Sequence, residues 1–410
     1  MANIVVNGDT SGSVTLSAPA VSGSTTITLP TTSGTMLTTA GGAALGTPSS
    51  GNLTNCTSLP LSTGVTGTLA EANGGTGTTT GYYGFKNRII NGAMGISQRT
   101  AVNTNVAVTT TTSGTFGPDR YTGYTGTASL WNILQVTTGV YDFPYALRLQ
   151  RIAAQTSTSA VYLRQVIETN NCIDLAGQSV TISFYATAGA NYSGGAATVQ
   201  VLTGTAADQG TSSLNTAAWT GIATPINSTF TPTTTRTKFT FTATLGSSIQ
   251  EVAFSINWSG SGTAGANDYM DITGVQLEKG STATSFDYRP YGTELALCQR
   301  YYCKTFSTGT APAQNTGYVG ALGAISINTG AATALWAIWK FPSEMRAVPT
   351  VTTYSPAAAN SNWYSPSGPS SATTAGVFAG STSFTNLYNV NATSAANIVF
   401  YVQASADCEL

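Results

Sequence analysis

Carboxylates come first in any search of this chain for chemistry, because the stronger reagents are missing. There is no histidine, which removes Ser-His-Asp and Cys-His nucleophilic sites and any His-ligated metal. Glycoside hydrolysis needs two carboxyl groups, roughly 5–10 Å apart across a sugar cleft. Asp268 and Asp271 are neighbours in sequence, and Glu278 and Asp287 follow them. Sixteen acids are scattered over the whole chain, with no long repeat of the kind that builds a processive glycosidase. Asp268 and Asp271 are also the candidates for a structural calcium, which prefers oxygen ligands. The plainer reading is a set of surface or salt-bridged acids, such as Asp119 beside Arg120.

Aromatic rings are the second chemistry-bearing group. Sugars stack on Trp and Tyr faces while amides bond their hydroxyls. Asn360-Ser-Asn-Trp-Tyr-Ser-Pro-Ser-Gly-Pro369 reads as a loop, and Trp363 and Tyr364 have no alternation there to bury them. Asn360 and Asn362 flank them, and Tyr388 lies between Asn386 and Asn389. These residues are the receptor-binding candidates; against that, most tryptophans simply pack. Gly41-Gly42 and Gly74-Gly-Thr-Gly77 lack the following Lys-Ser/Thr of a phosphate loop and read as joints.

Composition narrows the remaining choices. The chain has 410 residues, enough for two or three domains at roughly 150 residues each. Only 8% are charged, against about 25% in ordinary globular proteins. Net charge is −1 without basic runs, so no nucleic acid is expected as partner. No stretch of 18 apolar residues exists, and the start lacks the basic and apolar regions of a Sec signal. Five scattered cysteines, Cys56, Cys172, Cys298, Cys303 and Cys408, are expected to be reduced and buried in a protein made in a cytoplasm.

The elements that must carry these residues are almost all strands. Residues 1–81 contain no aromatic residue. Ser13-Val-Thr-Leu-Ser-Ala, Ser24-Thr-Thr-Ile-Thr-Leu and Thr35-Met-Leu-Thr each offer one thin apolar stripe, which must find a partner. Three identical chains winding together would supply it; a disordered Ser/Thr linker is the alternative. Residues 82–290 read as a β-sandwich of jelly-roll type, with strands at Ala160–Ile167, Ser179–Ala186, Ala197–Leu202, Thr237–Ala243, Glu251–Trp258 and Tyr269–Leu277. Thr293–Tyr302 is the one good helical segment, capped by Thr293, within a connector over 291–304. Residues 305–410 form a smaller β-domain with strands at Gly317–Leu322, Ala334–Phe341, Pro349–Tyr354 and Asn397–Gln403. Leu335, Ala337, Trp339 and Phe341 point one way and Trp336 and Ile338 the other, so the second face reads as a subunit interface.

Four stretches resemble phage tail-fibre proteins of cyanophages and other aquatic phages. They are Gly12–Ala20 with Ser24–Pro30; Leu59-Pro-Leu-Ser-Thr-Gly-Val-Thr-Gly-Thr-Leu-Ala-Glu-Ala-Asn-Gly-Gly-Thr-Gly77; Lys86-Asn-Arg-Ile-Ile-Asn-Gly-Ala-Met-Gly-Ile-Ser-Gln-Arg99 with Pro118-Asp-Arg-Tyr121; and Gly274–Gly292 running into Leu297-Cys-Gln-Arg-Tyr-Tyr302. Ala70-Glu71 stands where Pro-Val is usual, and Tyr121 where Trp is more frequent. The resemblance implies a homotrimeric virion fibre made in the bacterial cytoplasm. It would dock on a tail adaptor or nozzle protein through residues 1–81 and direct its C-terminal part outward. It also implies a carbohydrate-binding-module-like sandwich in the middle. The function expected is adhesion to a host surface glycan or outer-membrane protein, strengthened by multivalency, without catalysis. A head fibre or decoration protein with no receptor, and a depolymerising tailspike, are the competing readings.

Overall fold

The computed structural model describes residues 3–7, 11–17, 85–127, 130–325, 327–328, 333–366, 376–378, 382–389 and 398–410. The chain divides into two compact units, 1–66 and 67–410. In the first, Ser13–Ser17 pairs antiparallel with Asn3–Asn7, Val5 opposite Thr15. This pairing lies within one chain and leaves open what covers the face of the Ser13–Ser17 strand. The segments at Ser24, Thr35 and Leu59–Gly77, and the winding expected there, lie outside the described residues.

The larger unit is built of antiparallel strands. Two six-stranded sheets face each other across one core. One runs Ala223–Phe230, Ala197–Gly204, Glu251–Trp258, Val161–Ile167, Thr122–Thr125, Thr115–Phe116. The other runs Thr237–Thr244, Ser179–Ala188, Tyr269–Lys279, Tyr145–Arg151, Trp131–Thr137, Val106–Ala107. Alternation puts Val180, Ile182 and Phe184 of one sheet against Val252, Phe254 and Ile256 of the other, all fully buried. Trp131 meets Trp258 edge-on at 4.5 Å. Burial of this aromatic and aliphatic set, at about 25 cal/mol per Å², is what holds a chain with so few charges.

The helix runs from Tyr291 to Gln299, two residues earlier than its expected start, with Pro290 at the cap position and no side-chain cap. Cys298 and Tyr301 pack with Ile90 and Ile96. Tyr302–Lys304, which the helical reading partly included, is a strand against Val399–Asp407. That strand centres a sheet with Leu322–Ile325 and Thr350–Tyr354, while Thr333–Lys340 pairs with Phe384–Asn389 in the second sheet of a small sandwich. Gly317–Leu322 is not a strand. Gly317 and Gly320 have φ of +87° and +75°, left-handed conformations that break pairing, and the strand begins only at Leu322. Ala337 and Trp339 are buried, whereas Trp336 and Ile338 are 51% and 72% exposed in the single chain.

Candidate functional site

A β-bulge organises a concave site on the large sandwich. Strand Tyr269–Lys279 loses register between Thr273 and Gln276, with Gly274 at φ +59°. The freed Val275 N–H donates to Gly92 O at 2.9 Å, and Asn87 Nδ2 donates to Val275 O at 2.9 Å. Asn87 Oδ1 accepts from the N–H groups of Ile89 and Leu277. A side chain at residue 92 would place its Cβ 2.2 Å from Val275 O, so only glycine fits. The bulge therefore fastens the 87–97 loop to strand Tyr269–Lys279.

The 286–294 segment forms the facing wall. Arg289 donates to Asn87 O, to Ile89 O and to both oxygens of Glu294. Glu294 Oε1 also accepts from Asn91 N–H. Asp287 Oδ2 accepts from Asn87 N–H at 3.2 Å, and Asp287 N–H donates to Gln276 Oε1 at 2.8 Å. Between the two walls lies a groove of about 530 Å³, within the size range of small-ligand sites.

Its exposed lining is aromatic. Tyr288 and Tyr291 are 55% and 58% exposed. Tyr288 lies stacked on Phe143 at 5.5 Å and edge-on to Phe286 at 4.8 Å. Those contacts hold its ring rigid, as a stacking platform requires. Burial, then the nearby Asp142 charge, pushes the Tyr288 hydroxyl up to about 12, so it keeps its proton at neutral pH. The amides of Asn87 and Asn91 lie beneath the surface, bonded within the protein, and Gln135 Nε2 donates to Met94 O. The arrangement can stack a ring-shaped ligand beside the Asp287 carboxylate. The signal was present in the Asn87–Asn91 and Phe286–Tyr291 stretches, but nothing in sequence brings two segments about 200 residues apart into one site; the separation of Asn87 and Asp287 is 200.

The residues singled out from sequence fare differently. Trp363 is not a loop contact: its side chain is fully buried in the core of the small sandwich. Tyr364, its neighbour, bridges Tyr401 through backbone bonds of 3.0 and 2.8 Å, which turns the Trp363 indole inward. Asn360 is exposed and accepts the Asn362 N–H. Tyr388 is half-buried and stacks on Trp336 at 5.4 Å. Asn386 and Asn389 share its strand. The Asn360–Tyr364 group adjoins the sheet of Val399–Asp407, and Asn386–Asn389 belongs to the other sheet. The two groups do not form one site.

The calcium candidates do not fit calcium. Asp268 is fully buried with both oxygens occupied, Oδ2 by Arg151 at 2.8 Å and by the Ser193 hydroxyl, Oδ1 by Ser193 N–H. Asp271 is held two-pronged by Arg148 at 2.7 and 2.8 Å. Each carboxylate already has a cation, and no cluster of metal-ligating side chains occurs among the described residues. Glu278, buried, accepts from Thr284 and Gln276. Arg120 pairs with Glu409 rather than with Asp119, which instead binds Gln98. Cys172, Cys298, Cys303 and Cys408 are buried free thiols; burial pushes Cys172 and Cys303 up to about 12.

No protein-family model matches the chain, and no curated protein does. Among solved structures, a CBM4 module is similar at 17% identity and TM-score 0.27, covering 46% of this chain and 98% of that one. The CBM22-1 xylan-binding domain of Paenibacillus barcinonensis Xyn10C is similar at 11% identity and TM-score 0.26, covering 45% and 99%. The enzymatically active domain of bacteriophage CBA120 tailspike protein 4 is similar at 16% and 0.26, covering 47% of this chain and 21% of that one. The likenesses are loose.

Proposed function

We propose that this chain is a virion tail-fibre protein that adheres to a host-cell surface glycan without catalysis. The observation that carries the reading is the groove between Asn87–Ser97 and Phe286–Glu294. It sets rigid, half-exposed tyrosines beside a carboxylate, Asp287, at a size suited to sugars. Both of its walls fall in the stretches that resemble phage tail fibres. The fibre is a homotrimer, attached to a tail adaptor or nozzle protein through residues 1–81. A single shallow groove binds weakly, and repetition on a trimer raises avidity. Tyr388, stacked on the exposed Trp336, supplies a second aromatic surface at the tip. The groove carboxylates of Asp287 and Glu294 hold backbone N–H groups, which supports binding over hydrolysis.

The test is retention of the full-length protein on immobilised bacterial surface polysaccharides. Wild type is retained, and Tyr288→Ala and Tyr291→Ala elute early. Release of reducing sugar during the same incubation would identify a depolymerising tailspike instead. Lack of retention on every cell-surface preparation would favour a head fibre or decoration protein.

A further inference from the structure

We infer that the groove is built for a neutral saccharide and rejects acidic ones, a selection set by Asp287. This rests on the glycan-binding reading above and names the class of sugar. Among the described residues the groove contains one cation, Arg289, and both terminal nitrogens of its guanidinium are spent on the protein itself. Its Nη2 donates to Asn87 O, and its Nη1 donates to Ile89 O and to the Glu294 carboxylate. With a side chain 6% exposed, it has no free fork to clamp a uronate or sialate.

The acids of the groove are not balanced in the same way. Glu294 is neutralised by Arg289. Asp287 has no ion pair among the described residues. Its Oδ2 accepts the Asn87 N–H, and Oδ1 receives no hydrogen bond among the described residues. The groove thus presents a carboxylate oxygen and no cation. An anionic sugar brought here meets like charge with no cation to offset it. A neutral sugar meets an acceptor for its hydroxyl donors, and charge-assisted hydrogen bonds are the stronger kind.

The aromatic geometry agrees. Tyr288 and Tyr291 leave about half of their surface open, and the C–H face of a neutral pyranose can lie on such rings while a hydroxyl donates to Asp287. The cation near Tyr288, Arg236, is already paired with Asp142 at 2.8 Å. The Tyr288 phenol stays protonated well above neutral pH, so it adds no negative charge of its own.

Titration calorimetry on the full-length oligomer separates the outcomes. The ligands are neutral hexose and pentose oligosaccharides on one side and oligogalacturonates on the other. Neutral oligomers should bind with an affinity that hardly changes between low and physiological salt, and oligogalacturonates should not bind. Asp287→Asn keeps an oxygen for the Asn87 N–H and should weaken neutral binding about tenfold. It should also raise the residual affinity for oligogalacturonate. Tyr291→Ala should weaken neutral binding by about tenfold or more, the worth of one stacked ring, without changing the acid-to-neutral ratio. Tighter binding of oligogalacturonate by wild type, or an Asp287→Asn variant with unchanged selectivity, would overturn the inference and leave glycan binding standing. Failure of both ligand classes, with bacterial polysaccharide retention also absent, would remove the underlying reading as well.

Discussion

Arg120, in the turn before the first long sandwich strand, closes its guanidinium on the carboxylate of Glu409, 289 residues further on. Both side chains are nearly buried, at 3% and 6% exposure. Arg99 reinforces the contact, binding Glu409 at 3.3 Å and Asp407 at 2.9 Å while lying over the Tyr302 ring at 3.7 Å. The end of the small sandwich's central strand is therefore latched to the large sandwich. Leu410 O accepts the Thr211 hydroxyl at 2.8 Å. The small domain does not hang freely from its helix: its last strand returns to its base.

Glu409→Ala leaves Arg120 buried without its partner. Removing one member of a buried pair typically costs about 3–5 kcal/mol. We expect calorimetry on this variant to show a lower-temperature transition for residues 305–410. Glu409→Asp should recover part of it. An unchanged melting profile would show that the latch contributes nothing.

Trp363→Ala should act through folding. The indole sits in the core with Phe400, Val402 and Leu387, and replacing a buried Trp by Ala costs about 3–5 kcal/mol. Limited proteolysis should cut the variant's small domain while the large sandwich survives. A stable variant that merely lost adsorption would restore Trp363 to a contact role.

The strands with clean alternation were legible. Val161–Ile167, Ser179–Ala188, Ala197–Gly204 and Glu251–Trp258 all fall within a few residues of their expected bounds. Ala223–Phe230 was not, because Pro225 breaks a strand pattern; the structure places it on a sheet edge, where a missing donor does no harm. Trp363 was misread for a related reason. A strand bridge of only one residue pair, Tyr364 with Tyr401, leaves no period to detect. The groove was illegible because its two walls, about 200 residues apart in sequence, are joined by tertiary hydrogen bonds such as Asn87 N–H to Asp287 and Arg289 to Asn87 O. Asp268 and Asp271 looked like a pair because they are close in sequence. Their arginines, Arg151 and Arg148, come from the neighbouring strand, and only the register reveals them.

Calcium or a chelator should leave the melting temperature unchanged. The oxygens of Asp268 and Asp271 are already bound to Arg151, Ser193 and Arg148. Asp268→Ala, by contrast, strands Arg151 in the interior and should destabilise the large sandwich by about 3–5 kcal/mol. A calcium-dependent rise in melting temperature would contradict this assignment of the carboxylates.

The proposed trimer should resist salt. Its cations are largely committed within the chain, as in Arg151–Asp268, Arg148–Asp271 and Arg300–Glu168. Contacts between subunits must then rest on apolar burial and backbone bonds, which salt barely screens. Sedimentation in molar NaCl should show an undissociated species. Dissociation there would point to ionic interfaces.

Glu251 gives the large sandwich a pH dependence of unusual sign. The residue is fully buried at the start of its strand. Its Oε2 accepts from the Thr169 hydroxyl at 3.1 Å and the Gln209 N–H at 3.2 Å, while Oε1 has no partner. Burial, with the Asp208 charge adding to it against these two bonds, moves the carboxyl from 4.5 to about 8. The folded chain therefore keeps a proton that the unfolded chain has lost between those two values. Stability contributed by this group is complete below pH 4.5 and falls as pH rises toward 8, with a slope of order 1 kcal/mol per pH unit. Glu168 runs the other way. Burial opposes its charge, but the hydrogen bonds from Arg300 and Tyr301 outweigh that and lower its carboxyl, so its contribution fades only in acid. Urea titrations between pH 5 and pH 8 need the variant for comparison, because burial also raises the carboxyls of Glu409 and Asp271 and lowers Lys304 to about 8. Glu251→Gln keeps an acceptor for Thr169 and Gln209, and it should flatten the decline. If the variant and wild type lose stability in parallel over that range, the decline belongs to another group.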